Sequence, residues 1–497
     1  MLPASLHPFE YNTGSSRLEN PRFVLGLFLG VGVFGLAVAK LGFIGLGLFL
    51  GLFFMLVYAY LIFRYPVIGL YTIVAFSFFV LGIGRYVKDV QFGLGVDGIL
   101  LFTYLALFMN KFRDKINWKP ANKDITILSI IWFAYTIFEL FNPQAQSVAA
   151  WFSGRGISFY MFLIVPLTLL FFDNHKKIDF FFYLWGVLSI LASLKGIMQL
   201  KMGVDSAEQA WLNEGNYKTH ILFGKLRVFS FLSDAGQFGA NQAYTAVVAI
   251  IYAMSTKKRL VKMFFHLVAI LGLYGMLISG TRGAISIPLA GFATFFILRK
   301  NKAVLMAGTI LLLSVFVFFK YTNIGQGNAE IRRMRTAFDP NDASLQVRLN
   351  NQKILKNYLR TRPFGGGVGH GGVKAQRYLP NAFLSQIATD SWYVLIWVEQ
   401  GIVGLLLHLF ILFYVAIKGG YKIMYRIRDP ILKLKMSALL AGMVGVMVAS
   451  YGNAILGNFP TNILIFISMA LLMNTDKLDT PLPATETLPA ANKPGTK

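Results

Sequence analysis

Apolar runs long enough to cross a lipid bilayer dominate this chain, and each of them leaves the backbone one solution. Residues 23–42, 43–63, 263–280 and 394–417 are such runs, with no strong charge cluster inside them. About twenty apolar residues are what a helix needs to span the hydrocarbon core. In lipid the backbone polar groups must be satisfied within the segment, and these runs are too uniformly apolar for the alternating strands of an outer-membrane barrel. The predicted fold is an all-α polytopic membrane protein of an inner, cytoplasmic membrane. Composition agrees: 56% of the 497 residues are hydrophobic and 14% charged, with 46 Phe and a mean hydropathy of +0.59.

Read in order, the runs predict about 14 transmembrane helices, near 23–42, 43–63, 66–84, 93–110, 124–142, 157–172, 179–200, 240–255, 263–280, 284–298, 303–319, 394–417, 436–455 and 460–474. Lys and Arg concentrate in alternate connections: Lys111 to Lys123, His175 to Lys177, Lys257 to Lys262, Arg299 to Lys302 and Lys418 to Lys435. The positive-inside rule makes these cytoplasmic, together with both termini. The polar segment 1–22 has no short apolar core ending in a cleavage site, so no cleaved signal is expected, and the Pro- and Thr-rich tail 475–497 is predicted to be disordered. Residues 23–474 then form a single membrane domain. Its long outer connections are 201–239 and 320–393, the second a large extracytoplasmic loop between helices 11 and 12.

The formal net charge of +25 falls mostly in the short cytoplasmic connections, where topology accounts for it, so nucleic acid is not an expected partner. Cations on the outer side need another explanation. Arg155, Arg227, Arg282 and Arg348 fall there, Arg282 within Ser279-Gly280-Thr281-Arg282-Gly283. The loop 320–393 holds eleven Lys and Arg against four Asp and Glu, leaving +7. Guanidinium forks suit phosphate oxygens through paired, charge-assisted hydrogen bonds, so a lipid-linked phosphate or pyrophosphate is the expected ligand. Scattered Lys residues are expected to meet anionic headgroups.

Other chemistries find less support. The chain has no Cys, and its six His are scattered, with only His220 and His370 on the outer side and no HExxH, so no metal is expected. The run Gly365 to Gly372 has no strand before it and no Lys-Ser/Thr after it; it reads as a flexible, close-approach loop, not a nucleotide cradle. No GxSxG elbow is present. Carboxylate chemistry remains. Asp390 stands at the lip of a predicted helix, where it either complements the helix dipole or serves as a general base.

In these residues the chain resembles the O-antigen ligase and polymerase superfamily of bacterial envelope glycan enzymes. The Ser279–Gly283 helix end is similar to that family's Ser-x-Thr-Arg-Gly-like motif, and a long outer loop with an Arg, here Arg348, follows it. A Pro-x-Gly-x-Gly-like turn comes next, here Pro363 to Gly369, and then Ser391, nine residues and Gly401 to Gly404. Asp390 occupies the place where the family's ligases have His. The stretch Arg227 to Asn241 resembles a further family segment, and the likeness spans roughly 220–474.

The resemblance implies a C-type glycosyltransferase fold and metal-independent, inverting transfer from an undecaprenyl-pyrophosphate-linked glycan at the outer face, with no cofactor. Arg282, Arg348 and Arg227 would then hold the pyrophosphate, Asp390 would activate the acceptor hydroxyl in place of His, and His370 would be the reserve base. Loss of the ligase His favours polymerisation of repeat units, for O-antigen or exopolysaccharide, over ligation to lipid A core. The implied partners are the lipid-linked donor, a glycan acceptor, the bilayer and a chain-length regulator. Two other readings stay open: a lipid-linked glycan flippase or transporter, and a catalytically silent family member. The absence of charge at the helix centres speaks against transport.

Overall fold

The computed structural model describes residues 43–87, 92–110, 116–222, 224–339 and 341–479. The run predicted at 23–42, the segment 1–22 and residues 480–497 of the predicted tail lie outside them. The chain divides into two compact units, Met1–Pro66 and Val67–Lys497. The first contributes helix α1 (Phe43–Arg64). The second begins with α2 (Val67–Ile83), α3 (Gly93–Asn110), α4 (Asp124–Phe138), α5 (Val148–Gly154), α6 (Gly156–Phe171) and α7 (His175–Met202). After the first long connection come α8 (Ala235–Ala253), α9 (Arg259–Ile278), α10 (Ser286–Leu298) and α11 (Lys302–Tyr321). Helices α12 (Ala329–Arg335) and α13 (Ala343–Leu359) precede α14 (Trp392–Tyr425), α15 (Pro430–Ala449) and α16 (Thr461–Met473). Every run predicted within the described residues carries a helix, with shifted ends.

Among the described residues six helices are long and apolar enough to cross a membrane, and the pair α5 and α6, bent by 43°, makes a seventh. Other predicted spans, including α2, α3 and α16, are apolar but shorter. Their positions in the bundle differ sharply. On α11 only Gly308 is buried, so its apolar surface faces outward, as lipid contact requires. Every residue of α16 is buried, which fits a helix apolar on all sides.

Helix α8 is the exception in composition. All its residues except Gly236 and Ile250 are buried, yet it carries Gln237, Asn241, Gln242 and Thr245. Each of these side chains finds a partner inside the bundle, as burial demands, although the Asn241 Oδ1 is left unpaired. Gln237 donates to the Thr461 hydroxyl at 2.7 Å, the Ser189 and Ser193 hydroxyls donate to Gln242 Oε1 at 2.8 and 3.0 Å, and the Trp185 indole donates to Thr245 at 2.9 Å. This polar stripe ties α8 to α7 and α16 and makes it the centre of the bundle.

The connection 320–393 is more ordered than a loop. Asp342 caps α13 by accepting from the Leu345 N–H at 3.1 Å, and Leu355 and Leu359 on that helix bury against Leu384 and Val398. The connection 201–239 likewise holds a short helix, Ser206–Trp211, with a capping box from Asp205 and Glu208, and a two-residue hairpin pairing Ile221–Leu222 with Lys225–Leu226. Both connections were legible as long connections but not as structure, because their apolar anchors are too few to set a periodic pattern.

Helix α14 breaks at Gly401, whose φ is +66°. The glycine-rich segment fills the break: Gly366 and Gly367 donate to the Val398 and Glu399 carbonyls at 2.8 and 3.0 Å. A Cβ on Gly401 would stand 1.9 Å from the Pro363 carbonyl oxygen, and one on Gly369, at φ +80°, 1.9 Å from that of Ala150. Close approach is what these glycines supply, since a broken helix must find backbone partners elsewhere.

Candidate functional site

The turn Ser279 to Gly283 joins α9 to α10 through a short 3-10 segment, Arg282–Ile285. It is anchored to the start of α8: the Thr281 hydroxyl donates to the Ala235 carbonyl at 2.7 Å. Gly239 permits this approach, because a Cβ there would come 2.1 Å from the Ser279 hydroxyl. The turn is therefore a fixed platform, not a mobile linker.

Three arginines gather around this platform. Arg227, which follows the hairpin, donates to the Thr219 carbonyl at 3.0 Å and to the Thr281 hydroxyl at 3.2 Å. Arg282 donates to the Thr336 hydroxyl at 3.1 Å and pairs with Asp342. Arg333, from α12, lies over Gly280, where a Cβ would meet its Cδ and Nε at 3.1 Å. Burial, then the charges of Arg333 and Arg282, push Arg227 down to about 10, and burial followed by Arg282 lowers Arg333. The cluster of three guanidinium groups favours an anion that offsets their mutual repulsion.

Arg348, on α13, bonds through Nε to Asp390 Oδ2 at 3.3 Å. Asp390 immediately precedes Ser391, the N-cap of α14, so it stands at the helix start, as predicted, and also holds a cation that was not predicted. The Arg348 guanidinium reaches toward Gly452, while the Asn453 amide lies 2.8 Å from where a Gly283 Cβ would stand. The Gly452–Asn453 turn thus bridges the arginine platform and the Arg348–Asp390 pair.

Beside this bridge opens a cavity of about 830 Å³, whose ionisable lining includes Asp234, Asp390, Glu399, Arg85, Lys374 and Arg377. That volume lies within the roughly 300–1,000 Å³ of small-molecule sites. Arg85 is committed to the wall: it donates to the Ser230 carbonyl at 2.8 Å and stacks on Trp211 and Phe229, each 4.5 Å from the ring centre. Arg155 is committed as well, paired with Asp97 at 2.7 Å.

His370 stands apart from the arginines. Its Nε2 accepts from the Gln146 and Ser147 N–H groups at 2.9 and 3.1 Å, which leaves the Nδ1–H to donate to the Val368 carbonyl at 3.0 Å. Both ring nitrogens are used, so His370 pins the glycine segment to the start of α5. Burial lowers its pKa from 6.5. The folded state thus holds it neutral where the unfolded chain protonates it, and stability falls as pH drops below about 6.5. His370→Ala is expected to remove the acceptor of the partly buried Gln146 and Ser147 N–H groups and to lower stability by about 1–3 kcal/mol. Thermal unfolding of the solubilised protein measures this; the acid-side loss should flatten in the variant while the pH profile of any transfer by the folded fraction stays unchanged.

Residues 267–409 match a family model described as O-antigen ligase. Over this stretch the chain is similar to the O-antigen ligase family. Arg282, Arg348, His370 and Asp390 fall within the O-antigen ligase match, and Arg227 lies outside it. The match is narrower than the 220–474 resemblance, although in space Arg227 joins the matched residues through Thr281. No curated protein matches the chain. An O-antigen ligase relationship supports joining of O-antigen-type glycans in general by a multi-pass membrane protein.

Sequence reasoning missed Arg333, Asp342 and the wall residues Arg85 and Glu399 as parts of this neighbourhood. Arg333 was one of eleven loop cations, and only its placement over Gly280 separates it from them.

Proposed function

We propose that this protein polymerises undecaprenyl-pyrophosphate-linked oligosaccharide units onto a glycan acceptor at the outer face of the bacterial cytoplasmic membrane, by inverting transfer that uses no metal. The supporting observation is the convergence of Arg227 and Arg282 on one turn, beside a cavity whose rim carries Asp390. A diphosphate leaving group gains negative charge as its bond to the sugar breaks, and fixed cationic donors act on that developing charge. In this reading about fourteen spans cross the membrane, both termini are cytoplasmic, and 201–239 and 320–393 face outward.

The step is a single displacement. An acceptor hydroxyl oxygen attacks the anomeric carbon of the donor while the bond to the diphosphate oxygen breaks, and that electron pair leaves on the undecaprenyl diphosphate. Asp390 takes the hydroxyl proton. Arg348 has two roles: it holds Asp390 and supplies a further cation to the donor. His370 acts through position, holding the cavity wall with both ring nitrogens. Polymerisation is preferred over ligation to lipid A core because Asp390 replaces the ligase His. Transfer by the purified protein from such a donor to a glycan acceptor tests the reading.

A further inference from the structure

The diphosphate reading leaves the third arginine of the platform without a role. Arg333 reaches the platform from α12, a separate outer segment, and its Nε is buried without a hydrogen-bond partner. The Arg227 Nε is in the same state. A buried donor left unmade costs about 1–3 kcal/mol, and more when it is charged. Two of them at one turn, on cations that oppose each other, are difficult to sustain unless a ligand completes them.

The nearby carboxylates do not. Asp342 pairs with Arg282. Asp234, which also favours the charge on Arg227, is occupied: its oxygens accept from the Ser233 hydroxyl at 2.7 Å and the Gln237 N–H at 2.9 Å. Arg335 also has a buried Nε without a partner, but its guanidinium is bound to the Ile324 carbonyl and stacks on Phe318 at 5.2 Å. Arg333, unlike Arg335, combines an open donor with a seat over the platform, and Gly280, at φ +59°, makes that seat: any side chain there would meet the Arg333 Cδ and Nε at 3.1 Å.

We propose that Arg333 is a diphosphate-binding residue of this site, closing with Arg227 on one phosphate of the donor while Arg282 serves the other. The inference rests on the diphosphate reading and adds to it a contact from outer helix α12. Because α12 is separate from the connection that carries Arg227 and the turn that carries Arg282, the diphosphate also fastens this segment to the turn.

Inorganic pyrophosphate is the probe, titrated against full-length detergent-solubilised protein at constant ionic strength, with the unfolding midpoint as readout. Wild-type protein is expected to gain stability with pyrophosphate. Arg333→Gln should weaken the apparent affinity by about tenfold or more, as Arg227→Gln should, and Arg333→Lys should also weaken it because the fork is lost. Arg360→Gln, an exposed charge at the end of α13, should bind like wild type and controls for net charge. Wild-type affinity in both Arg333 variants, alongside weakened Arg227→Gln, overturns the role of Arg333 alone. No pyrophosphate response in folded wild-type protein overturns the diphosphate reading itself.

Discussion

Arg282→Lys is expected to abolish glycan transfer while the protein still inserts and folds. The substitution keeps the charge and removes the planar fork, whose Nη1 reaches both Thr336 and Asp342. A Lys ammonium is a compact point charge on a flexible stem and does not reproduce paired bonds to phosphate. Removing one donor aimed at developing negative charge lowers turnover by about 10²–10³-fold. Polymer length and yield on gels, normalised to membrane protein level, measure it. Normal polymer in the variant excludes Arg282 from the donor site.

Asp390→Asn is expected to stop transfer, by about 10²–10⁴-fold, and to leave donor binding intact. The amide has nearly the shape of the carboxylate but takes no proton. It also dissolves the ion pair with Arg348, freeing that guanidinium for the donor, so pyrophosphate affinity should be retained or increased while turnover falls. The divergence of the two readouts separates a base from a structural carboxylate. Undiminished transfer moves the base elsewhere in the cavity, where Glu399 is the remaining buried carboxylate; His370, with both nitrogens engaged, is not the replacement.

The membrane architecture was legible because lipid imposes a strong rule: an apolar run of sufficient length must be a helix. Each predicted run from 43–63 onward accordingly holds one. Helix ends were less legible, since capping residues and interfacial turns lie outside the apolar pattern; α14 runs to Tyr425, beyond its predicted end at 417, and α15 starts at Pro430, ahead of 436. The central place of α8 was hidden because polar pairing with Ser189, Ser193, Thr461 and Trp185 needs partners distant in sequence.

The site was legible in part for the same reason. Arg282 and Arg227 drew notice as outer cations near helix ends, and they do meet at Thr281. That Arg348 pairs with Asp390 was not readable, because both had been assigned separate ligands and nothing in the spacing of forty-two residues brings them together. Gly280, Gly369 and Gly401 were visible as glycines, but what each one admits (an arginine, a helix and a carbonyl) depends on the folded neighbour.

Under the proposed function, this chain joins lipid-linked glycans with its own residues and no nucleotide or metal. The most direct measurement incubates purified protein with an undecaprenyl-pyrophosphate-linked oligosaccharide and a glycan acceptor, in the presence of a metal chelator, and follows glycan length by mass. The account predicts products longer by whole donor units, with release of undecaprenyl pyrophosphate, and their loss in Arg282→Lys. An unchanged donor in the presence of folded wild-type protein, or extension that requires added nucleotide or metal, would contradict it.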